Sequence, residues 1–225
     1  MPPQSESPIR ARRMPRHLTT AIVAVTLLLA PVAASGTAGG ATMKTTKPAA
    51  ATTAKLKVVT AKGLGLSIPA SWTTISIDDP KLADALAKGG KANPQIQQLT
   101  PEKLKASGVV LFATDLPKNG FSDNVNAQVI AGGPADLKGA EGQLKTPLES
   151  QGAIVGSQVH INVSGLDAIR TEYTLPVNAV NGKKLTVFGT QIVTVKSKTA
   201  YIITISLGAT NAEFVTSLAK SITVK

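Results

Sequence analysis

Hydrophobic and polar positions are most regular between Gly108 and Gly133, where two neighbouring segments have patterns typical of β-strands. Val109–Ala113 is an uninterrupted apolar run, as expected of a strand covered on both faces. Asn124–Ile130 alternates instead, which predicts a half-buried strand. Its apolar positions are Val125, Ala127 and Val129, and its polar positions are Asn124, Asn126 and Gln128. We interpret the two strands as a central pair to which the other segments add layers.

Helical patterns lie before and after this pair. Asp78-Asp79-Pro80 predicts a helix start with an acidic N-cap, and Gly89-Gly90 predicts its end. Pro134–Gln151 predicts a longer amphipathic helix that Pro147 kinks or ends, and Asn211–Ser221 predicts the last helix. Shorter helical turns are expected after Asn93-Pro94 and Thr100-Pro101. Further strands are expected at Leu56–Thr60, Gly63–Ile68, Thr73–Ile77, Ala153–Val163, Leu166–Leu175, Lys184–Val195 and Ala200–Leu207. This order predicts an α+β fold, a largely antiparallel sheet flanked by helices in a single α/β/α sandwich domain.

The chain divides into three parts. Residues 1–36 have the layout of a secretory signal peptide, with basic residues, the short apolar run Ala21–Ala30, and small residues at the expected cleavage positions near Ala34 and Gly36. The apolar run is shorter than the roughly 20 residues that span a bilayer, so no stable span is expected after processing. Residues 37–55 are predicted to be a flexible Ala/Thr/Lys linker, and residues 56–225 the folded domain.

The amino-acid composition limits the cellular location and the partners that we expect for this protein. The chain has no cysteine, so disulfides and lipidation on cysteine are both excluded, and we expect a protein that is secreted from, or associated with the wall of, a bacterium. Without the four arginines and one glutamate of the leader, 20 basic and 12 acidic residues remain, a net charge of +8. This charge fits a solvated surface or attraction to anionic wall polymers or lipid headgroups. Nucleic acid is not an expected partner, because arginine and aromatic residues are scarce.

The sequence offers little chemistry for catalysis. His160 is the only histidine of the predicted domain, and its polar neighbours predict an exposed side chain. One histidine and no cysteine exclude an ordinary zinc site. The Gly-x-Ser-x-Gly elbow of serine hydrolases is absent. Gly63-x-Gly65 precedes a strand rather than a helix, and Gly132-Gly133-Pro134 lacks the lysine of a phosphate loop. We therefore predict no catalytic residue, metal ligand or cofactor, with a hydrolase that lacks a recognisable motif as the alternative.

Three motifs suggest a family. They are a glycine-led strand that ends in Ile68-Pro69-Ala70-Ser71-Trp72, an apolar strand that ends at Asp115, and the segment from Phe121 to Asn124-Val125-Asn126. Together they resemble the LpqN/LpqT family of exported actinobacterial proteins over about residues 55–225. The resemblance implies the α/β/α sandwich shared with the extrinsic oxygen-evolving subunit of photosystem II, and export from the cell. It supplies no catalytic motif, and the absence of cysteine departs from the lipoprotein members of that family.

These observations predict a non-catalytic binding or accessory module that acts in or beyond the bacterial cell wall, with another protein as its partner. The expected contact is the loop between the central strands, with Asp115, Lys118, Asn119, Phe121 and Asp123 as its candidate residues. The alternative is a carrier of a small apolar or lipidic ligand in a cavity between sheet and helix, since aliphatic residues are abundant and aromatic ones few.

Overall fold

β-Strands account for more of the described chain than helices do. The structure is a computed structural model that describes residues 55–92, 96, 99–118, 120–178 and 182–225. The expected signal peptide, the cleavage positions Ala34 and Gly36, and the expected linker except Lys55 lie outside these residues. In chain order the strands are β1 (Leu56–Ala61), β2 (Leu64–Pro69), β3 (Thr73–Ser76), β4 (Val109–Thr114), β5 (Asn124–Ala131), β6 (Ile154–Val163), β7 (Leu166–Asn178), β8 (Lys184–Lys196), β9 (Thr199–Leu207) and β10 (Thr223–Val224).

Seven of these strands form the central antiparallel sheet, in the spatial order β3-β4-β5-β9-β8-β7-β6. Strands β6 to β9 follow one another as neighbours, so they form a meander. The central contact is different, because β9 pairs with β5, far away in the sequence, with Asn126 opposite Thr204. Strands β5 and β9 are buried over most of their length because they lie in the middle of the sheet, where both faces are covered.

A second, three-stranded sheet joins the two ends of the described chain in the order β1-β2-β10. Leu64 is opposite Val224, and the backbone N–H of Lys225 donates to the carbonyl oxygen of Gly63 at 2.9 Å. Strand β2 also contacts the last helix, where the N–H of Ser67 donates to Oγ of Ser221 at 2.9 Å. The C-terminal residues are therefore an integral part of the fold.

The helices are short, and several begin with the capping residue that their sequence predicts. Thr100 Oγ1 accepts a hydrogen bond from the N–H of Lys103, and Asn211 Oδ1 accepts one from the N–H of Phe214, each the N-cap interaction. In chain order the helices are α1 (Leu82–Ala92), α2 (Pro101–Ala106), α3 (Leu137–Glu141), α4 (Lys145–Ser150) and α5 (Ala212–Ser221).

Both faces of the central sheet are covered. The front face, which carries Val125, Ile203 and Ile192, packs against α5 and the three-stranded sheet. The back face packs against α1 and α2 at the β3–β4 end, and against α3 and α4 at the β6–β8 end. This arrangement confirms the predicted α+β fold with a largely antiparallel sheet flanked by helices in a single domain. Trp72 lies in the front core, with its ring centroid 5.4 Å from that of Phe214.

The predicted helix over Pro134–Gln151 is instead two short helices, α3 and α4. Asp136 caps α3 by accepting from the N–H of Gly139, and the first helix ends at Gly142, where glycine lowers helix propensity. Pro147 neither kinks nor ends the second helix. It occupies the first turn of α4, where a proline removes no helical hydrogen bond.

Helix α1 differs from the prediction in its bounds. Its first residue is Leu82, and before it Asp79 Oδ1 accepts a hydrogen bond from the backbone N–H of Lys81 at 2.8 Å, the interaction expected of an acidic cap. Asp78 instead accepts a hydrogen bond from the backbone N–H of Lys62 at 3.0 Å. The helix continues through Gly89 and Gly90, which the sequence predicts to end it. A Cβ atom at Gly89 would lie 3.1 Å from the side chain of Ile96, so this glycine permits a close contact rather than a turn.

Two strand predictions need correction. Strand β5 is not half-buried, because its polar residues Asn124, Asn126 and Gln128 are buried as well as its apolar ones. Strand β6 has a bulge between Val155 and Gln158, which places Val155 on the back face and Val159 on the front. The alternation of Ala153–Val163 in the sequence predicts instead that Val155, Val159 and Ile161 all lie on the core side.

Candidate functional site

An open groove of about 510 Å³ lies on the front face of the sheet, beside the N-terminal half of α5. Its floor is a row of cross-strand neighbours that runs over four strands, Ile154, Thr174, Phe188 and Leu207. Its volume falls in the range of sites that bind small molecules or peptide side chains. The sheet and helix therefore form a concave surface with a largely apolar floor.

Polar groups lie along one side of this floor. Arg170 Nη2 is 3.2 Å from Glu172 Oε1, and Ser157 Oγ donates to Glu172 Oε2 at 3.1 Å. Arg170 and Glu172 are two residues apart on β7, so both side chains point to the front face. Because their charges offset each other, the groove presents a neutral but strongly hydrogen-bonding patch beside its apolar row.

The wall of the groove comes from α5 and the loop before it. Thr210, Asn211, Val215 and Thr216 line the groove, and Val215 also packs into the front core. Leu218 and Ala219 pack the helix against the front core. The sequence identifies the helix, but the groove is missed because β6 to β9 become neighbours of α5 only in the fold.

The predicted contact loop lies next to this groove. Asp123 Oδ1 accepts from the backbone N–H of Gly208 at 2.8 Å, and Gly208 directly follows Leu207 of the groove floor. Lys118 Nζ is 2.6 Å from Asp115 Oδ2, and the Lys118 side chain is exposed. Asn119 lies outside the described residues.

Phe121 is a correction to the predicted contact surface. Its side chain is buried, and it packs against Leu148 and Tyr173 in a back-face core cluster. The backbone groups of Phe121 and Lys118 exchange hydrogen bonds of 3.1 and 2.7 Å. Phe121 therefore anchors the loop, and Asp115, Lys118 and Asp123 are the described candidates at the surface.

The ionisable groups of this loop influence one another. Burial raises the pKa of the Asp123 carboxyl, against the lowering effect of the Gly208 N–H and of Lys118. The hydrogen bond to Asp115 raises the pKa of the Lys118 ammonium, with a further contribution from Asp123. Lys118 is therefore held in its charged form beside two carboxylates, and the three residues form one electrostatic unit.

A polar row crosses the back face, buried from Asn126 to Thr171 and exposed at Gln158 on the edge strand. Starting from Asn126 on β5, successive cross-strand partners are Thr204, Gln191, Thr171 and Gln158. Gln158 Nε2 donates to Thr171 Oγ1 at 3.1 Å. Within the described chain, both side-chain amide atoms of Asn126 and of Gln191 are buried without a hydrogen-bond partner. In the sequence, the alternation of β5 places Asn126 in a line of polar residues. No such alternation surrounds Gln191, so the sequence does not identify it as part of this row.

Other polar residues do not assemble into a site. His160 is exposed, as predicted, with Nδ1 3.2 Å from Asp167 Oδ2 and Nε2 3.7 Å from Glu141 Oε1. Among the described residues, no group of three or more His, Cys, Asp or Glu side chains is placed to hold a metal ion. In the same part of the chain, every helix is too short or too polar to cross a membrane.

Comparisons with known proteins give similarities of structure only. No protein-family model and no curated protein sequence matches the chain. The solution structure of cyanobacterial PsbP (CyanoP) from Synechocystis sp. PCC 6803 is 13% identical, with a TM-score of 0.46, over 80% of this chain and 98% of that one. A protein of unknown function from Pseudomonas aeruginosa, PA94, described as a putative regulator, is 11% identical, with a TM-score of 0.35, over 72% of this chain and 86% of that one. The fold class stated above rests on the strands and helices of this chain itself.

Proposed function

We propose that this protein is a non-catalytic binding module that acts outside the cell in or beyond a bacterial wall, and that another protein is its partner. The observation that carries the proposal is the groove between α5 and strands β6 to β9. It combines an apolar floor with a neutral pair of charged side chains, Arg170 and Glu172. Protein interfaces commonly place apolar contacts at the centre of the contact and polar groups around them.

The adjoining loop extends this surface. Asp115, Lys118 and Asp123 stand beside the groove because Asp123 is hydrogen-bonded to the backbone of Gly208. Charged side chains at the rim of an interface steer the partner and set its orientation more than they add affinity. We therefore assign the affinity to the groove and the selection of partner to the loop.

Export and family membership are part of the same proposal. The basic leader, the apolar run Ala21–Ala30 and the small residues near Ala34 support secretion. The segments Ile68-Pro69-Ala70-Ser71-Trp72 and Asn124-Val125-Asn126 support distant membership of the LpqN/LpqT family. A net positive charge after processing also favours retention near anionic wall polymers.

Site-directed photo-crosslinking in the producing cells tests the proposal. A photoreactive amino acid at Thr216, on the wall of the groove, is expected to capture one protein in the wall or medium fraction. The matched control carries the photoreactive amino acid in place of Lys220, which lies one turn further along α5 and is exposed outside the groove. Equal capture from both positions, or capture from Lys220 alone, would contradict a partner site in the groove.

A second candidate is a carrier for a small amphiphilic ligand. The concave shape of the groove and its apolar row from Ile154 to Leu207 favour this alternative. Native mass spectrometry of protein recovered from the producing cells distinguishes the two. Added mass that extracts into organic solvent supports the carrier, whereas a bare chain that still crosslinks from Thr216 supports the protein-binding module.

A further inference from the structure

The outer edge of β6 is the longest open edge of the central sheet. In the part of the chain that the structure describes, β6 ends the sheet and pairs with β7 alone. It has ten residues, Ile154–Val163, of which only Val163 is buried. An edge strand directs every second N–H and C=O away from its single partner, so these groups are available to another strand.

The two edges of the sheet are unlike each other. Strand β3 has four residues and lies beside β1, where Ser76 Oγ donates to the carbonyl oxygen of Thr60 at 3.5 Å. Strand β6 contains no Lys, Arg, Asp, Glu or Pro, the residues that commonly protect an exposed edge from pairing. Its bulge between Val155 and Gln158 interrupts the ladder, but the segment from Gln158 to Val163 pairs regularly with β7.

Exposed apolar side chains on β6 face the groove. Ile154 is 71% exposed and Val159 is 38% exposed, and both point to the front face. Ile154 is also the first residue of the groove floor. On the same strand, Gln158 and His160 point to the back face and have polar side chains. The edge therefore offers main-chain hydrogen bonds together with an apolar front and a polar back.

We propose that β6 binds an extended peptide segment of the partner protein as an additional strand. This inference rests on the proposed function and names the form in which the partner binds. The segment has apolar residues at alternate positions, which cover Ile154 and Val159 at the rim of the groove, and uncharged polar residues between them. Main-chain hydrogen bonds along β6 add to the affinity that the groove supplies, and the groove also accommodates the alternate side chains of the segment.

The hairpin geometry identifies a residue with which to test the edge. Ser164 and Gly165 both have positive φ, 55° and 77°, and form a two-residue turn between β6 and β7. In a hairpin of this kind the ladder alternates from the residues that flank the turn. Counted back from Val163, the N–H of Ile161 is directed towards β7 and the N–H of His160 is directed away from it.

A proline at position 160 therefore removes an outward donor without removing a hydrogen bond of the sheet. The matched control is His160→Ala, which loses the same contacts with Asp167 and Glu141 but keeps the N–H. The probe is a peptide selected from a random dodecapeptide phage library against the protein recovered from its producing cells. We expect His160→Pro to weaken its binding at least about tenfold, and His160→Ala to change it less than about twofold.

A third variant, Thr216→Trp, fills the groove and separates the two proposals. A peptide that loses binding in Thr216→Trp but not in His160→Pro overturns the edge proposal and leaves the groove as the site. A peptide that is indifferent to both variants, or a library that yields none, overturns both proposals. Self-association of the wild-type protein, measured by light scattering and abolished in His160→Pro, would make a second copy the occupant and also overturn the peptide proposal.

Amide hydrogen exchange on the wild-type protein gives a result that does not depend on the proline variant folding. On addition of the selected peptide, exchange at the N–H of His160 is expected to slow, while exchange at Thr74 on the opposite edge strand stays unchanged. Unchanged exchange at His160 in the saturated complex would contradict strand addition.

Discussion

The side chain of Tyr173 occupies the space in which Gly189 would otherwise carry a Cβ atom. An ideal Cβ at Gly189 would overlap the ring of Tyr173, and the two residues are cross-strand partners on β7 and β8. Tyr173 is 4% exposed, so its ring cannot turn towards solvent without opening the back-face core. An aromatic ring over a strand glycine covers backbone that would otherwise lack a packing partner.

Gly189→Ala is therefore expected to lower the free energy of unfolding by about 2 kcal/mol, the cost of overpacking a filled site. Urea denaturation followed by circular dichroism measures this change. Gly133→Ala is the matched control, because its Cβ would meet Ala200 at an ordinary 3.5 Å. A Gly189→Ala variant as stable as the Gly133→Ala variant would contradict the packing described here.

Gln191→Met tests the buried polar row. Both amide atoms of Gln191 are buried without a partner among the described residues, and methionine has a similar length without the polar groups. Removing an unpaired buried amide is expected to raise the free energy of unfolding by about 1 kcal/mol. Thermal and urea unfolding measure the change, with Thr171→Val as the comparison.

Thr171→Val is expected to act in the opposite direction, because Thr171 Oγ1 accepts a hydrogen bond from Gln158. Its loss costs about 1 kcal/mol. If Gln191→Met destabilised the protein as much as Thr171→Val, the amide of Gln191 would have a bound partner such as water in solution.

Asp123→Asn tests the raised pKa of the Asp123 carboxyl. Because burial raises this pKa above its value in the unfolded chain, Asp123 favours folding most below the unfolded pKa, and that contribution is lost as the pH rises through the folded pKa. Asparagine keeps an oxygen that accepts from the N–H of Gly208 but does not ionise. The melting temperature of Asp123→Asn, relative to wild type, is therefore expected to be higher at pH 7 than at pH 3.

Scanning calorimetry at the two pH values measures this relative shift. Lys118→Met serves as the companion variant, because it removes the cation that lowers the pKa of Asp123. When Asp123 is present, Lys118→Met is expected to lower the melting temperature near neutral pH. When Asp123 is replaced by asparagine, Lys118→Met is expected to change the melting temperature less. An Asp123→Asn shift of equal size at both pH values would show that the ionisation of Asp123 is not the cause.

Asn211→Ala tests the capping of α5, the wall of the groove. Asn211 Oδ1 accepts from the N–H of Phe214 at 3.0 Å, and losing such a cap costs about 1 kcal/mol. Asn211→Asp keeps an acceptor at the same place and is expected to stay close to wild type in urea denaturation. If both variants lost the same stability, the hydrogen bond to Phe214 would not be the source of the effect.

Local sequence patterns predict the layers of the fold well. The apolar run at β4, the cap at Thr100 and the spacing of Val215 and Leu218 on α5 each correspond to an element with the expected buried side. These signals succeed because capping and periodicity depend on residues within one or two turns of each other. The same reasoning fails at Gly89, whose role depends on contact with Ile96 rather than on helix propensity.

The candidate site is less predictable because its parts are distant in the sequence. The groove combines Ile154 with Leu207 and the N-terminal half of α5, and only the strand order of the sheet brings them together. The loop prediction identified charged residues that lie beside the groove, but it treated Phe121 as a contact although the core needs its ring. An aromatic residue between polar neighbours looks the same in the sequence whether it anchors a loop or meets a partner.

The pairing of β2 with β10 has a consequence for how the protein is made. Gly65 near the start of the domain is opposite Thr223 at its end, and β9 must insert between β5 and β8 before the central sheet is complete. Contacts between such distant parts of a chain are slow to form, because a long loop has to close first. A chain that has been synthesised only as far as α5 lacks β10, so the three-stranded sheet is still incomplete. We expect this domain to finish folding only after residues 223–225 have been made, so a shorter nascent chain remains open to any factor that handles unfolded chains.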